Sequence, residues 1–357
     1  MAKKKIGGAT TPAAPSVAKE PSAERPYVPG YGIPTTTKGL LPWSFAEERL
    51  SKARNYWVCT VGPGGEPHAV PVWGAWVAGA VFCGGSEEVL WARHLIANPA
   101  LAVHLESGDE AVILEGMVDR IKDPDPLASR VTSAYHSKYK LRHPPPFWSL
   151  RPSAAFAWTT KSRFQDATRW RWAEHPAKPA AVLQRQPRAL SHAEPAAKQV
   201  GEPEAGRPYV PGYGIPTTKK GLLPWKFAAE RLEKAMNYWV CTAGPDGRPH
   251  ARPVWGLWVD GALCFGGHGV RWEKNLAANP QVSVHLESGE EVVILEGVAE
   301  RVTDAKDPLI AKCAPISKKK YGMSSDSVPF WILRPRTAFA WTLKSMFKDA
   351  TRWKLHR

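Results

Sequence analysis

The sequence predicts a mostly β chain with short helices (α+β), built as two tandem copies of one small closed antiparallel barrel. Two observations carry this. The stretch "NYWVCTVGPGGEPHAVPVW" (residues 55–73) returns as "NYWVCTAGPDGRPHARPVW" (residues 237–255), and the match runs from "RPYVPGYGIPTT" to "DATRW" in each copy. A repeat of about 145 residues is a domain with its own core, which excludes a solenoid of short units. Within each copy, extended apolar runs alternate with Gly, Pro and Asp turns, the signature of hairpins.

The elements of the first copy follow in order. After "GLLPW" a short helix is expected, with Ser44 and Glu47 at capping-box spacing and Phe45, Leu50 and Ala53 facing the core. A strand over 56–61 turns at Gly62-Pro63-Gly64-Gly65 into a second over 67–77, and Ala78-Gly79 turns into "AVFCGG". "WARHLIANP" reads as a helix stopped by Asn98-Pro99. "LAVHLESGDEAVILEGMVDRI" is a hairpin turning at Ser107-Gly108-Asp109. A helix near 125–139 and strands in "FWSLRPSAAFAWTT" complete some six strands, enough for a small barrel.

Four segments result: a disordered basic tail (1–24), repeat 1 (25–170), an Ala/Pro-rich flexible linker (171–206) and repeat 2 (207–357). Lys3-Lys4-Lys5 is not followed by the apolar run of a secretory signal, and no stretch is long enough to span a bilayer, so a soluble cytoplasmic chain is expected. The formal charge is +15, divided as +2 over 27–170, +6 over 209–353 and the rest over tail, linker and C-terminus. Only "SKKKY" (317–321) is locally dense, which disfavours nucleic acid as a partner. The excess in repeat 2 favours an anionic small molecule there.

Five cysteines without a C-x-x-C pair suggest neither a disulfide framework nor a structural zinc site. Cys59 and Cys241 occupy matched strand positions, where core packing is expected. His104 and His285 also match, without the sequence spacing of metal ligands, so no metal is expected. Glu106/Glu287 and Glu115/Glu296 read as ion-pairing or turn residues, and no nucleophile–base pair stands out.

The ordered series of a Y-W strand, a P-x-G turn, "PHARPVWGLWVDGALCFGG", a helix ending "NLAANP" and "VSVHLESGEEVVILEGVAERV", with a trailing "FAW…ATRW", resembles the pyridoxamine 5′-phosphate oxidase-like family. The resemblance covers nearly all of each repeat. It implies FMN-binding-type split β-barrels that pair as a dimer, here an intramolecular pseudo-dimer of the two repeats that leaves room for further oligomerisation. It also implies a cofactor at the interface, FMN or alternatively the deazaflavin coenzyme F-420, with haem further away, and an oxidoreductase or reductase acting on an unknown small molecule. A non-catalytic flavin- or haem-binding protein is the competing reading.

Carried onto this sequence, the resemblance makes Arg252, with Pro253, Val254 and Trp255 on the same strand, part of the cofactor site. Gly266, Gly267 and His268 lead into Arg271, Trp272, Lys274 and Asn275, where glycine backbone and a helix start suit a phosphate. Trp272 departs from the family pattern, which often has lysine there; its ring suits stacking rather than charge neutralisation. Arg352 and Trp353 are expected to close the pocket. Repeat 1 offers Trp73, Ser86, Trp91 and Arg93, but Val70, Leu90 and His94 replace Arg252, Arg271 and Asn275. Unequal sites are expected, with repeat 2 keeping the phosphate grip and repeat 1 weak or vacant.

Overall fold

The computed structural model describes residues 20–28, 30–173, 202–267, 270–304, 306–323 and 330–355. Repeat 1 runs β1 (Ser22–Glu24), α1 (Trp43–Lys52), β2 (Asn55–Val61), β3 (Pro67–Val77), β4 (Ala80–Gly84), α2 (Leu90–Ala97) and β5 (Ala100–His104). It continues with β6 (Glu110–Ile121), α3 (Pro126–Tyr139), β7 (Phe147–Thr159) and β8 (Thr168–Arg171). Repeat 2 copies this order as β9 (Glu204–Gly206), α4 (Trp225–Lys234), β10 (Asn237–Ala243), β11 (Pro249–Val259), β12 (Ala262–Gly266) and α5 (Arg271–Ala278). It ends with β13 (Gln281–His285), β14 (Glu291–Val302), α6 (Pro308–Tyr321), β15 (Phe330–Thr342) and β16 (Thr351–Lys354).

Each repeat closes six strands into a barrel. In the first the order β7-β4-β3-β2-β5-β6 returns to β7, and in the second β12-β11-β10-β13-β14-β15 returns to β12. Closure leaves β8 with β1, and β16 with β9, as appendages. Three boundaries move from the sequence reading. Ser22–Glu24, assigned to the tail, pairs with β8, and Glu204–Gly206, assigned to the linker, pairs with β16; residues 1–19 and 174–201 lie outside the described residues. The first helix starts at Trp43 behind Pro42 with no side-chain cap, so Ser44 does not cap it.

Proline in β11 fits because Pro249–Trp255 pairs only with β10, whereas Gly256–Val259 pairs with β12. Pro253 therefore costs no ladder bond, and Arg252 sits on this open stretch.

The tandem strands "NYWVCT" are buried on both faces. Tyr56 and Val58 enter the first barrel's core, and Tyr238 and Val240 the second's. The alternate residues Trp57, Cys59, Trp239 and Cys241 meet in a shared core with Ile113 and Ile294. The barrels thus dock back to back as a pseudo-dimer. Trp57 Nε1 donates to the Glu287 carbonyl at 3.1 Å and Trp239 Nε1 to the Glu106 carbonyl at 3.0 Å. Asn98 Nδ2 and Asn279 Nδ2 cross in the same way to Gly247 and Gly65, each at 2.8 Å. Two different sequences here satisfy one two-fold contact pattern. No helix among the described residues is long and apolar enough to cross a membrane.

Candidate functional site

Docking two barrels leaves one cavity on each side of the pseudo-twofold axis, and the repeats contribute to each crosswise. The larger, of 870 Å³, is lined from repeat 2 by Arg252 to Leu257, Gly266, Val270 to Trp272, and Lys274. Repeat 1 supplies Phe156, Trp158, Arg169 and the arm carrying Tyr27 and Tyr31. The counterpart, of 600 Å³, reverses the roles: Val70, Leu90, Trp91 and Arg93 come from repeat 1, and Phe339, Trp341, Arg352, Tyr209 and Tyr213 from repeat 2.

Arg252 and Arg271 converge on one carboxylate of the other barrel. Glu115 accepts from Arg252 Nη1 at 3.2 Å and from Arg271 Nη1 at 3.3 Å, with the Arg252 and Glu115 side chains only 18% and 17% exposed. The Arg252 guanidinium also lies 4.3 Å from the centre of the Phe156 ring. Burial pulls its pKa down, and the Glu115 charge pushes it back up. His250, two residues earlier, is buried with its Nδ1 unpartnered among the described residues. Burial, then the Arg252 and Arg271 charges, hold its pKa well below the ordinary value.

The smaller cavity shows what the arginines change. There Glu296, the match of Glu115, pairs instead with His68 Nδ1 at 3.0 Å. Val70 and Leu90 offer no competing cation, so the carboxylate falls back on the histidine. Arming repeat 2 with two arginines rewires the same Glu–His pair and leaves His250 Nδ1 without a partner among the described residues.

Several sequence-stated positions take other places. Gly266 has nothing within 4 Å of where a Cβ would stand among the described residues, so backbone is open to a ligand there. Gly267 is required by packing: Trp272 Cζ2 lies 2.6 Å from its would-be Cβ. Trp272 lines the cavity but is 2% exposed and packs on Phe265 at 5.2 Å, so it is a wall set in the core. Asn275 is buried and braces Thr242, donating to its Oγ1 at 2.9 Å; it does not reach the cavity. His268 lies outside the described residues.

Arg352 and Trp353 do not close the Arg252 cavity. Arg352 lines the opposite one, and Trp353 is core beneath Trp225 at 5.3 Å. Their repeat 1 match Arg169 takes the Arg252 side, because the β7–β8 end lies across the cavity from α5 and the β15–β16 end across from α2. Trp73 stacks on Tyr139 at 4.7 Å and lines neither cavity, whereas its match Trp255 stacks on Tyr321 at 4.8 Å and lines the larger one. Ser86 is exposed, its Oγ accepting from the Glu88 amide. Sequence reasoning overlooked Phe156, Trp158, Tyr27 and Tyr31. Their signal was the near-identical "RPYVPGYGIPTT" and "FAW" segments of both copies, which the barrel cores alone do not explain.

The lining fits a phosphate-bearing ring cofactor. Two guanidiniums and Lys274 supply cation, the open backbone at Gly266 allows close approach, and α5 starts at Arg271 with no side-chain cap on its amides. Phe156, Trp158, Trp255 and Tyr321 supply aromatic wall, and the volume is that of ordinary cofactor sites.

Residues 225–341 match the family model of pyridoxamine 5′-phosphate oxidase. Repeat 2 carries this family match, and both repeats have the split-barrel fold. Solved structures similar to this tandem chain align with about one repeat each. An F-420 reductase is 24% identical, covering 30% of this chain and 94% of its own, with a TM-score of 0.26. A FAD-binding protein from Mycobacterium smegmatis is 16% identical over 38% of this chain and 98% of its own, TM-score 0.26. A haem-binding protein from the same organism is 25% identical over 34% of this chain and 55% of its own, TM-score 0.27. Among curated proteins, none matches this split-barrel chain.

Proposed function

We propose that the chain is a flavin- or deazaflavin-dependent oxidoreductase acting on a small molecule, with one FMN-type cofactor in the Arg252 cavity. The observation that carries the reading is the convergence of Arg252 and Arg271, beside Lys274, on a cavity otherwise rich in aromatic wall. When bound, such a cofactor supplies hydride transfer, so the protein needs no nucleophile of its own. The chain's residues bind, orient and exclude water: the arginine forks take phosphate oxygens, and Phe156, Trp158 and Trp255 flank a ring. The match of residues 225–341 to the pyridoxamine 5′-phosphate oxidase family model supports the reading.

A non-catalytic haem- or flavin-holding role draws on one feature: His250 lines the same cavity, and its buried Nδ1 has no partner among the described residues, imidazole being a ligand suited to iron. The absorbance spectrum of the purified protein separates the two. Titration with FMN, riboflavin, coenzyme F-420 and haemin then ranks them. The flavin reading expects FMN well above riboflavin, with the preference lost in Arg252→Ala. Equal FMN and riboflavin affinities, or haemin binding alone, overturn it.

A further inference from the structure

The strands that join the barrels bring four ligand-type side chains to one point, although they are scattered in the sequence. Cys59 and His104 lie on neighbouring strands of barrel 1, with Trp57 opposite His104 in register; Cys241, His285 and Trp239 repeat this in barrel 2. Trp57 and Cys59 are two residues apart, so both face outward, toward the other barrel. Back-to-back docking then sets Cys59 Sγ 3.3 Å from Cys241 Sγ, and His104 Nε2 3.2 Å from His285 Nε2. All four ligand atoms lie within 4.8 Å of one another, and all four residues are buried.

The hydrogen bonds fix which histidine atoms face inward. His104 Nδ1 bonds to the Leu105 carbonyl and His285 Nδ1 to the Leu286 carbonyl, each at 2.8 Å. A carbonyl only accepts, so each Nδ1 carries its proton, and in the neutral rings each Nε2 presents a lone pair. Two lone pairs face each other at 3.2 Å with no donor between them, an arrangement that repels unless a cation lies there. Carbonyl-anchored Nδ1–H is also the usual outer support of a metal-bound imidazole. Trp57 stacks on His285 at 3.4 Å and Trp239 on His104 at 3.5 Å, each from the other barrel, holding the rings in place.

We propose that Cys59, His104, Cys241 and His285 form a tetrahedral zinc site on the pseudo-twofold axis, coordinating the two barrels to each other. Zinc bonds of about 2.3 Å to sulfur and 2.0–2.1 Å to nitrogen set tetrahedral edges of roughly 3.8 Å between sulfurs and 3.3 Å between nitrogens. The nitrogens already stand at that separation, the sulfurs need to part by about half an ångström, and the sulfur–nitrogen distances, up to 4.8 Å, need to close toward roughly 3.5 Å. Loading balances in charge: Zn2+ replaces the two thiol protons, which leave to solvent. Two thiolates and two neutral imidazoles then give a centre of net charge zero, which an apolar interior tolerates. The mixed thiolate–imidazole set favours zinc over magnesium or calcium. The site stands independently of the cavity's cofactor.

The test uses the full chain, purified under reducing conditions from zinc-supplemented culture. Elemental analysis is expected to find one zinc per chain, retained against EDTA in the folded protein and released in guanidinium. Refolding the stripped chain with Co2+ should give the ligand-field bands of tetrahedral cobalt and a thiolate charge-transfer band. Cys59→Ser/Cys241→Ser should abolish that band while the circular dichroism of the barrels persists. If the double variant does not fold, the wild-type cobalt spectrum still decides. A wild-type chain with neither zinc nor cobalt bands, a Cys59–Cys241 disulfide as the main species, or one zinc per chain in the double variant overturns the proposal.

Discussion

Glu115 of the first barrel accepts from Arg252 of the second at 3.2 Å, across 137 residues of sequence. The contact places a carboxylate where an anionic ligand would sit, and holds both cavity arginines before any ligand arrives. It follows that Glu115 competes with a phosphate. Glu115→Gln is expected to tighten FMN by about 1–2 kcal/mol and to leave riboflavin unchanged. The same variant strands a part-buried guanidinium, so the ligand-free protein should lose roughly 1–3 kcal/mol of stability, which FMN restores. Calorimetric titration and urea unfolding read the two effects; weaker FMN binding would show that Glu115 helps the ligand instead.

Unequal cavities predict one tight site per chain. Arg252→Ala should weaken FMN by about 1.5–3 kcal/mol, the range of a charge-assisted bond, while Val70→Ala changes little. Arg252→Val with Arg271→Leu copies the smaller cavity, so Glu115 should turn to His250 and raise that ring's pKa, visible by NMR titration. Two equal tight sites in the wild-type titration would refute the asymmetry.

Acid sensitivity should include His94, whose pKa burial lowers to about 4, with His68 and Arg93 adding to the shift. Unfolded, the ring takes a proton below about 6.5 and the folded ring does not. Its contribution is complete above pH 6.5 and is lost as pH falls toward 4, at up to roughly 1.4 kcal/mol per pH unit. Repeat 2 has asparagine at this position, bonded to Thr242 as His94 is bonded to Thr60 at 3.0 Å. His94→Asn should keep that bond and flatten the loss between pH 6.5 and 4, measured by urea midpoints. An unchanged profile sinks the assignment.

Trp272 is expected to behave as core. Trp272→Ala should cost about 3–5 kcal/mol in unfolding free energy, the usual loss for a buried tryptophan. Trp272→Lys buries a cation against Phe265 and Gly267 and should destabilise at least as much, despite restoring the family's common charge. A Trp272→Lys protein as stable as wild type, with tighter FMN binding, would return this residue to the binding surface.

The sequence by itself determined the duplication, the strand and turn order, and the loss of Arg252 and Arg271 in repeat 1. These rest on local signals: a 182-residue offset between matched tyrosines, alternation along strands, and Gly, Pro and Asp at turns. It also marked "NYWVCT" as apolar on every position, without saying what covers the outer face. Tertiary structure alone decided that. Docking through that face put Glu115, Phe156 and Arg169 beside Arg252, sent Arg352 to the opposite cavity, and gathered two cysteines and two histidines on the axis. Periodicity records which side of a strand avoids water, whereas the partner that covers it is fixed by contacts between residues far apart in the chain, which no local pattern encodes.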